Sequence, residues 1–143
     1  MPIEVRIDPL QRIVFATPRG TLTTQDLFSY QKEVWSRRDL AGFSELVDMT
    51  EVEKIAFESV DRVRELAGLS AAMDEPQGSS KLAIVAVKDA HFGLARMYQS
   101  YREANPKSTR EVRTFRSKEE ATAWLLAKEA PATGAALPDR PSA

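Results

Sequence analysis

Three side chains of this sequence could share acid–base chemistry: Asp48, Asp89 and the single histidine, His91. Asp48 ends one short apolar run and Asp89 follows another, so both are predicted at the carboxyl ends of parallel strands, which meet along one rim of a sheet. Two convergent carboxylates there could transfer protons or hold a divalent cation. Aspartates at strand ends also routinely cap a turn or a helix, and we expect this structural role for both.

His91 would have to serve any Ser-His nucleophilic system, and the absence of cysteine excludes thiol chemistry. The segment DAHFG places it in the first turn of a helix, where we expect it to face solvent and where the helix dipole disfavours its protonated form. No G-x-S-x-G elbow accompanies it, and the glycines do not form a phosphate-binding loop. We therefore predict no catalytic residue, no metal site and no cofactor.

The amino-acid composition limits the classes of protein to which the chain could belong. The 143 residues suffice for one domain, and 20 basic against 21 acidic residues give a net charge of −1, which argues against nucleic acid as the main partner. Without cysteine, a reducing cytoplasm is the expected compartment. The N-terminal segment contains acidic residues and no long apolar run, so neither a signal peptide nor a membrane span is expected.

The pattern of apolar residues predicts the order β-β-α-β-α-β-α-β-α. Two short strands separated by a tight turn should pair antiparallel, and the alternation that follows implies parallel pairing. We therefore predict a single α/β domain with a mixed, mostly parallel five-stranded sheet, an antiparallel edge strand and four main helices. The run KLAIVAV should be its central strand. The domain should span residues 1–129, and the small, proline-rich residues 130–143 should form a disordered tail.

Local signals predict where helices begin. Thr23 and Asp26 have the spacing of a capping pair ahead of a first helix within residues 21–42. Asp89 occupies the position expected for the N-cap of the third helix, and Ser117 with Glu120 forms a capping-box pattern ahead of the fourth.

Four phrases in this order resemble the SpoIIAA-like group of STAS-type domains: GTLT, ELVDMTEVE, KLAIVAVKDAHFGLARMYQ and TFRSKEEATAWL, within residues 3–127. The resemblance implies a non-enzymatic module that binds a partner or senses a ligand. In the founding members, which antagonise anti-sigma factors, a serine after the third strand is phosphorylated as a switch. The broader group is also similar in topology to lipid-binding CRAL-TRIO domains, which implies apolar ligands as an alternative.

The phosphorylation switch of that group does not transfer to this chain. When Asp48 is aligned with the end of the strand in the family motif, the Asp-Ser pair of the motif falls on Ala56 and Phe57. Neither side chain can accept a phosphoryl group. Ser59 lies two positions later and Thr50 lies before the turn, so we expect no phosphorylation at the start of the second helix.

The predicted third helix carries Leu94, Met97, Tyr98 and Tyr101 at the spacing of one helical face. This face could pack on the sheet, line a pocket or mediate self-association, and an enrichment in Tyr and Met fits an interface. A closed apolar pocket beneath the helix would favour ligand binding, whereas a flat exposed face would favour a dimer.

The sequence thus predicts a regulatory protein-binding module without catalysis, with a homodimer as the expected arrangement. A carrier or sensor of small, lipid-like apolar ligands is the alternative. The candidate partner- or ligand-binding residues are Asp48, Thr50, Phe57, Ser59, Asp89, Phe92, Met97, Tyr98 and Tyr101.

Overall fold

The computed structural model describes residues 3–76 and 78–127. The predicted disordered tail, 130–143, lies outside the described residues. The strands are β1 (Ile3–Asp8), β2 (Ile13–Pro18), β3 (Gly20–Thr23), β4 (Ser44–Asp48), β5 (Val52–Ala56), β6 (Lys81–Val85) and β7 (Glu111–Phe115). The helices are α1 (Thr24–Val34), α2 (Val60–Ala72), α3 (Asp89–Ala104) and α4 (Lys118–Leu126), with a short 3-10 turn at Arg38–Leu40.

The main sheet has the order β1-β2-β4-β6-β7. β1 pairs antiparallel with β2 at one edge, and all other neighbours in this sheet are parallel. The prediction of a mixed five-stranded sheet with an antiparallel edge strand and four helices is therefore confirmed. The strand within KLAIVAV, β6, lies inside the sheet but beside the centre, because β4 occupies the middle position.

A second, two-stranded sheet was missed by the sequence analysis. β3 and β5 pair in parallel, so residues read as the approach to α1 and as a polar turn after β4 are extended instead. Gly20 permits this path, since its φ of 68° lies in the left-handed region, which glycine tolerates best. In β5, Val52 is buried, whereas Glu53 and Lys54 are exposed. Because the strand buries only part of one face, its sequence resembles that of a polar turn.

Helices cover both faces of the main sheet. Side chains alternate along each strand, so Val47 of β4 and Ile84 of β6 face α1, α2 and α3, whereas Leu46 and Val85 pack with Ala121 of α4. The resulting two apolar layers form the core. No helix among the described residues combines the length and apolar character needed to cross a bilayer.

The predicted helix starts agree with the structure at two of three places. Thr23 and Asp26 form a reciprocal capping box at α1, and the Ser117 hydroxyl accepts a hydrogen bond from the Glu120 amide at α4. The prediction for Asp89 was wrong, because Lys88 is the N-cap of α3 and Asp89 is its first residue. α1 is also shorter than predicted and ends at Val34.

Candidate functional site

Asp48 and Asp89, the proposed rim carboxylates, have separate structural roles. The Asp48 carboxylate accepts a hydrogen bond from the Thr50 amide at 3.1 Å and lies 3.9 Å from the Lys118 ammonium. Asp89 is exposed and pairs with Arg116 at 2.6 Å. Among the described residues, no hydrogen bond joins Asp48, Asp89 or His91 to one another, and no group of three or more acidic or histidine side chains could hold a metal ion.

His91 is buried, with only 6% of its surface exposed, so the expectation that it faces solvent was wrong. It lies one helical turn before Ala95, on the face of α3 that contains the helix's buried residues. Burial lowers its pKa below the ordinary value of 6.5, and the nearby Lys88 ammonium lowers it further. Both effects disfavour the protonated form of His91.

The depressed pKa of His91 should make the protein less stable in mild acid. The unfolded chain takes up a proton near pH 6.5, whereas folded His91 resists it. Its contribution is therefore complete above that pH and is lost as the pH falls towards the folded pKa. We expect His91→Gln to lose less unfolding free energy than the wild type between about pH 7.5 and pH 5.5 in urea titrations. Equal losses in both proteins would contradict this assignment.

An apolar cavity lies between the main sheet and the three helices on one of its faces. Its volume is about 110 Å³. Leu82 and Ile84 of β6 contribute to its wall from the sheet, and Leu66 of α2 and Ala95 of α3 contribute from the helices. The wall is almost entirely apolar, so the cavity offers a small hydrocarbon group an apolar surface to contact.

Tyr30 and Glu45 form a buried polar pair in the cavity wall. The Tyr30 hydroxyl donates to the Glu45 carboxylate at 2.6 Å and accepts from the Trp35 indole N–H at 3.2 Å. Arg110 donates to the other Glu45 oxygen at 2.8 Å. Burial, followed by the Glu45 charge, raises the pKa of Tyr30 well above its usual value. The phenol therefore stays neutral and acts as a fixed donor.

Gln31 and Ser70 form a second polar pair in the wall. The Ser70 hydroxyl donates to the Gln31 side-chain carbonyl at 3.0 Å, joining α2 to α1. Thr24, also in the wall, donates to Glu58 at 3.0 Å. Tyr30, Glu45, Ser70 and Thr24 of the wall are thus each hydrogen-bonded to another protein group.

Phe57 lies where the cavity meets the surface, because it is the one exposed residue among the described residues that line it. It follows β5 and precedes α2, and 37% of its surface is exposed. Ser59 lies two residues later as the N-cap of α2, where its hydroxyl accepts from the Arg62 amide. Thr50, the remaining candidate of this region, is exposed in the turn between β4 and β5.

The candidate residues of α3 divide between different environments. Tyr98 and Leu94 line the cavity, and the Tyr98 hydroxyl also accepts from Arg102 at 2.8 Å. The Tyr101 ring packs against the Arg64 guanidinium of α2, 5.3 Å from its centre. Phe92 packs against Arg116 in the same way at 4.1 Å, and Met97 is partly buried. Much of the predicted apolar face is therefore used within the chain.

A second, larger cavity of about 480 Å³ lies near the amino ends of the strands. Its lining is polar and charged, and three of its charged side chains are ion-paired within the chain: Arg37 with Asp39, Asp74 with Arg102, and Arg110 with Glu45. We therefore take the apolar cavity as the candidate functional site.

Comparisons with known proteins support the fold. No family model and no curated protein matches the chain. One matching solved structure is an uncharacterized protein of the DUF3478 family from Shewanella loihica, described as having a SpoIIAA-like fold. The two chains are 21% identical with a TM-score of 0.55, and the match covers 86% of this chain and 93% of the other. The chain thus has a SpoIIAA-like α/β fold, as the sequence resemblance implied.

Proposed function

We propose that this protein is a non-enzymatic binding module whose apolar cavity accepts a small molecule. The cavity beneath α3 carries the proposal, because a concave site lined by apolar side chains is typical of small-molecule binding. The separation of Asp48, Asp89 and His91 into unrelated contacts supports a role without catalysis.

Substitution of Ala95 tests the proposal. Leucine at this position directs three further carbon atoms into the cavity, whereas Ser100→Leu adds the same side chain on an exposed position of α3. Gas chromatography and mass spectrometry of solvent extracts should detect a small apolar compound in freshly purified wild type and in Ser100→Leu. We expect Ala95→Leu to lack it. Equal amounts in the two variants, or none in the wild type, would contradict the proposal.

Partner binding through exposed apolar side chains is a second candidate. Three apolar side chains, Phe57, Val60 and Val87, are 37%, 43% and 53% exposed near the ends of β5 and β6. Exposed apolar groups of this kind fit a docking surface for a regulatory protein or a second copy of the chain. Native mass spectrometry tests self-association, and a chain that stays monomeric at about 10 µM, in the range of weak association, would count against the homodimer.

A further inference from the structure

We propose that the cavity selects a compact, uncharged molecule of about one ring and excludes both long acyl chains and carboxylates. The inference rests on the proposed function, because it specifies the ligand class of the same cavity. It also restricts the lipid-like alternative suggested by the sequence. Two independent properties of the wall, its volume and its charge, support it.

Volume sets the size of the ligand. An engineered apolar cavity of about 150 Å³ in another protein binds benzene. The cavity here is smaller, at about 110 Å³, so one ring or a similarly small branched hydrocarbon is the upper limit of what it could enclose without rearrangement. A long acyl chain has several times as many carbon atoms as benzene. Most of such a chain would remain in water or would have to displace packed core side chains.

The charge of the cavity wall sets a second limit, which concerns the charge of the ligand. Among the described residues that line the cavity, Glu45 alone carries a charge, and lysine, arginine and histidine are absent. The Glu45 carboxylate is 4% exposed and is already bound by Tyr30 and Arg110. An incoming carboxylate would therefore lose its water without gaining a cation and would meet a negative charge in the wall.

Unused acceptor capacity defines the polar group that the ligand could carry. Each Glu45 oxygen accepts one protein hydrogen bond, and the Gln31 carbonyl accepts one from Ser70, so each has a second lone pair. The donors in these pairs are already committed. A single hydroxyl or N–H on the ligand could therefore be accepted there, as in a phenol or a pyrrole.

A matched set of probes tests these limits. Toluene, benzoate and palmitate should be titrated at neutral pH into wild type, Ala95→Leu and Ser100→Leu, with binding followed by the methyl NMR signals of Leu82, Ile84 and Leu66. We expect saturable toluene binding in the wild type and in Ser100→Leu, and at least about tenfold weaker binding in Ala95→Leu. Benzoate has nearly the same shape as toluene, and we expect it to bind about 100-fold more weakly because its charge must be desolvated.

The outcomes separate the ligand class from the proposed function. Benzoate or palmitate binding as tightly as toluene, with loss in Ala95→Leu, would overturn the class while leaving a ligand cavity. Failure of every probe to shift these signals would overturn both. Leu66→Phe fills the same cavity from α2, so it should repeat the loss of toluene binding if Ala95→Leu does not fold.

Discussion

Asp74→Ala should lower the free energy of unfolding by about 3–5 kcal/mol, because it leaves a buried guanidinium without its counter-charge. Arg102 is 2% exposed at its side chain and lies 2.5 Å from the Asp74 carboxylate, which is 6% exposed. The same Asp74 oxygen accepts from the amides of Thr109 and Arg110 at 3.0 and 3.1 Å. Its removal would therefore strand several donors at once, which costs more than the loss of one bond.

Asp39→Ala provides the matched control in urea denaturation. Asp39 and Arg37 are 2.7 Å apart, but their side chains are 63% and 47% exposed. Water screens such a pair, so its loss should change the unfolding free energy by less than about 1 kcal/mol. Similar losses for Asp74→Ala and Asp39→Ala would show that burial does not amplify the Asp74–Arg102 interaction.

Asp74 also connects the end of α2 to the cavity wall. Its contact with the Arg110 amide fixes the start of β7, and the Arg110 side chain reaches Glu45, which in turn binds Tyr30. A change at Asp74 should therefore disturb the cavity as well as the overall stability, although Asp74 does not line it.

The main sheet and helices could be predicted because their residues follow simple periodicities. β6 lies within a nearly continuous apolar run, and the capping pair Thr23 and Asp26 indicates where α1 begins. β3 and β5 were not predictable in the same way, because each is short and β5 alternates imperfectly. The two strands pair through residues more than 30 positions apart, and a local sequence pattern cannot predict such pairing.

The polar part of the site was partly visible in the sequence and was overlooked. Glu45 and Val47 are two residues apart in β4, so they share a face, and an acid on the buried face of a strand requires a partner. Which cation supplies that charge could not be predicted, since Arg110 lies 65 positions away. His91 was misplaced for a related reason. Its position in the first turn was correct, but the face of α3 that is buried depends on how the helix packs.

Leu82→Ala should lower the free energy of unfolding by about 2–5 kcal/mol, the usual cost of removing a buried leucine side chain. Leu82 is 3% exposed and lines the cavity, so the deletion should also enlarge the space already present, because the surroundings relax only in part. Leu10→Ala removes the same atoms where the side chain is 94% exposed, and its effect should stay within about 0.5 kcal/mol.

Ligand binding by Leu82→Ala provides a second measurement, which tests whether the cavity is enlarged. Naphthalene is too large for the wild-type cavity of about 110 Å³, but it should bind the variant and raise its melting temperature, because a ligand that binds only the folded state stabilises it by mass action. Leu10→Ala should gain nothing from naphthalene. If Leu82→Ala folds and loses the expected stability but does not bind naphthalene, the prediction that this deletion enlarges the ligand cavity would be wrong.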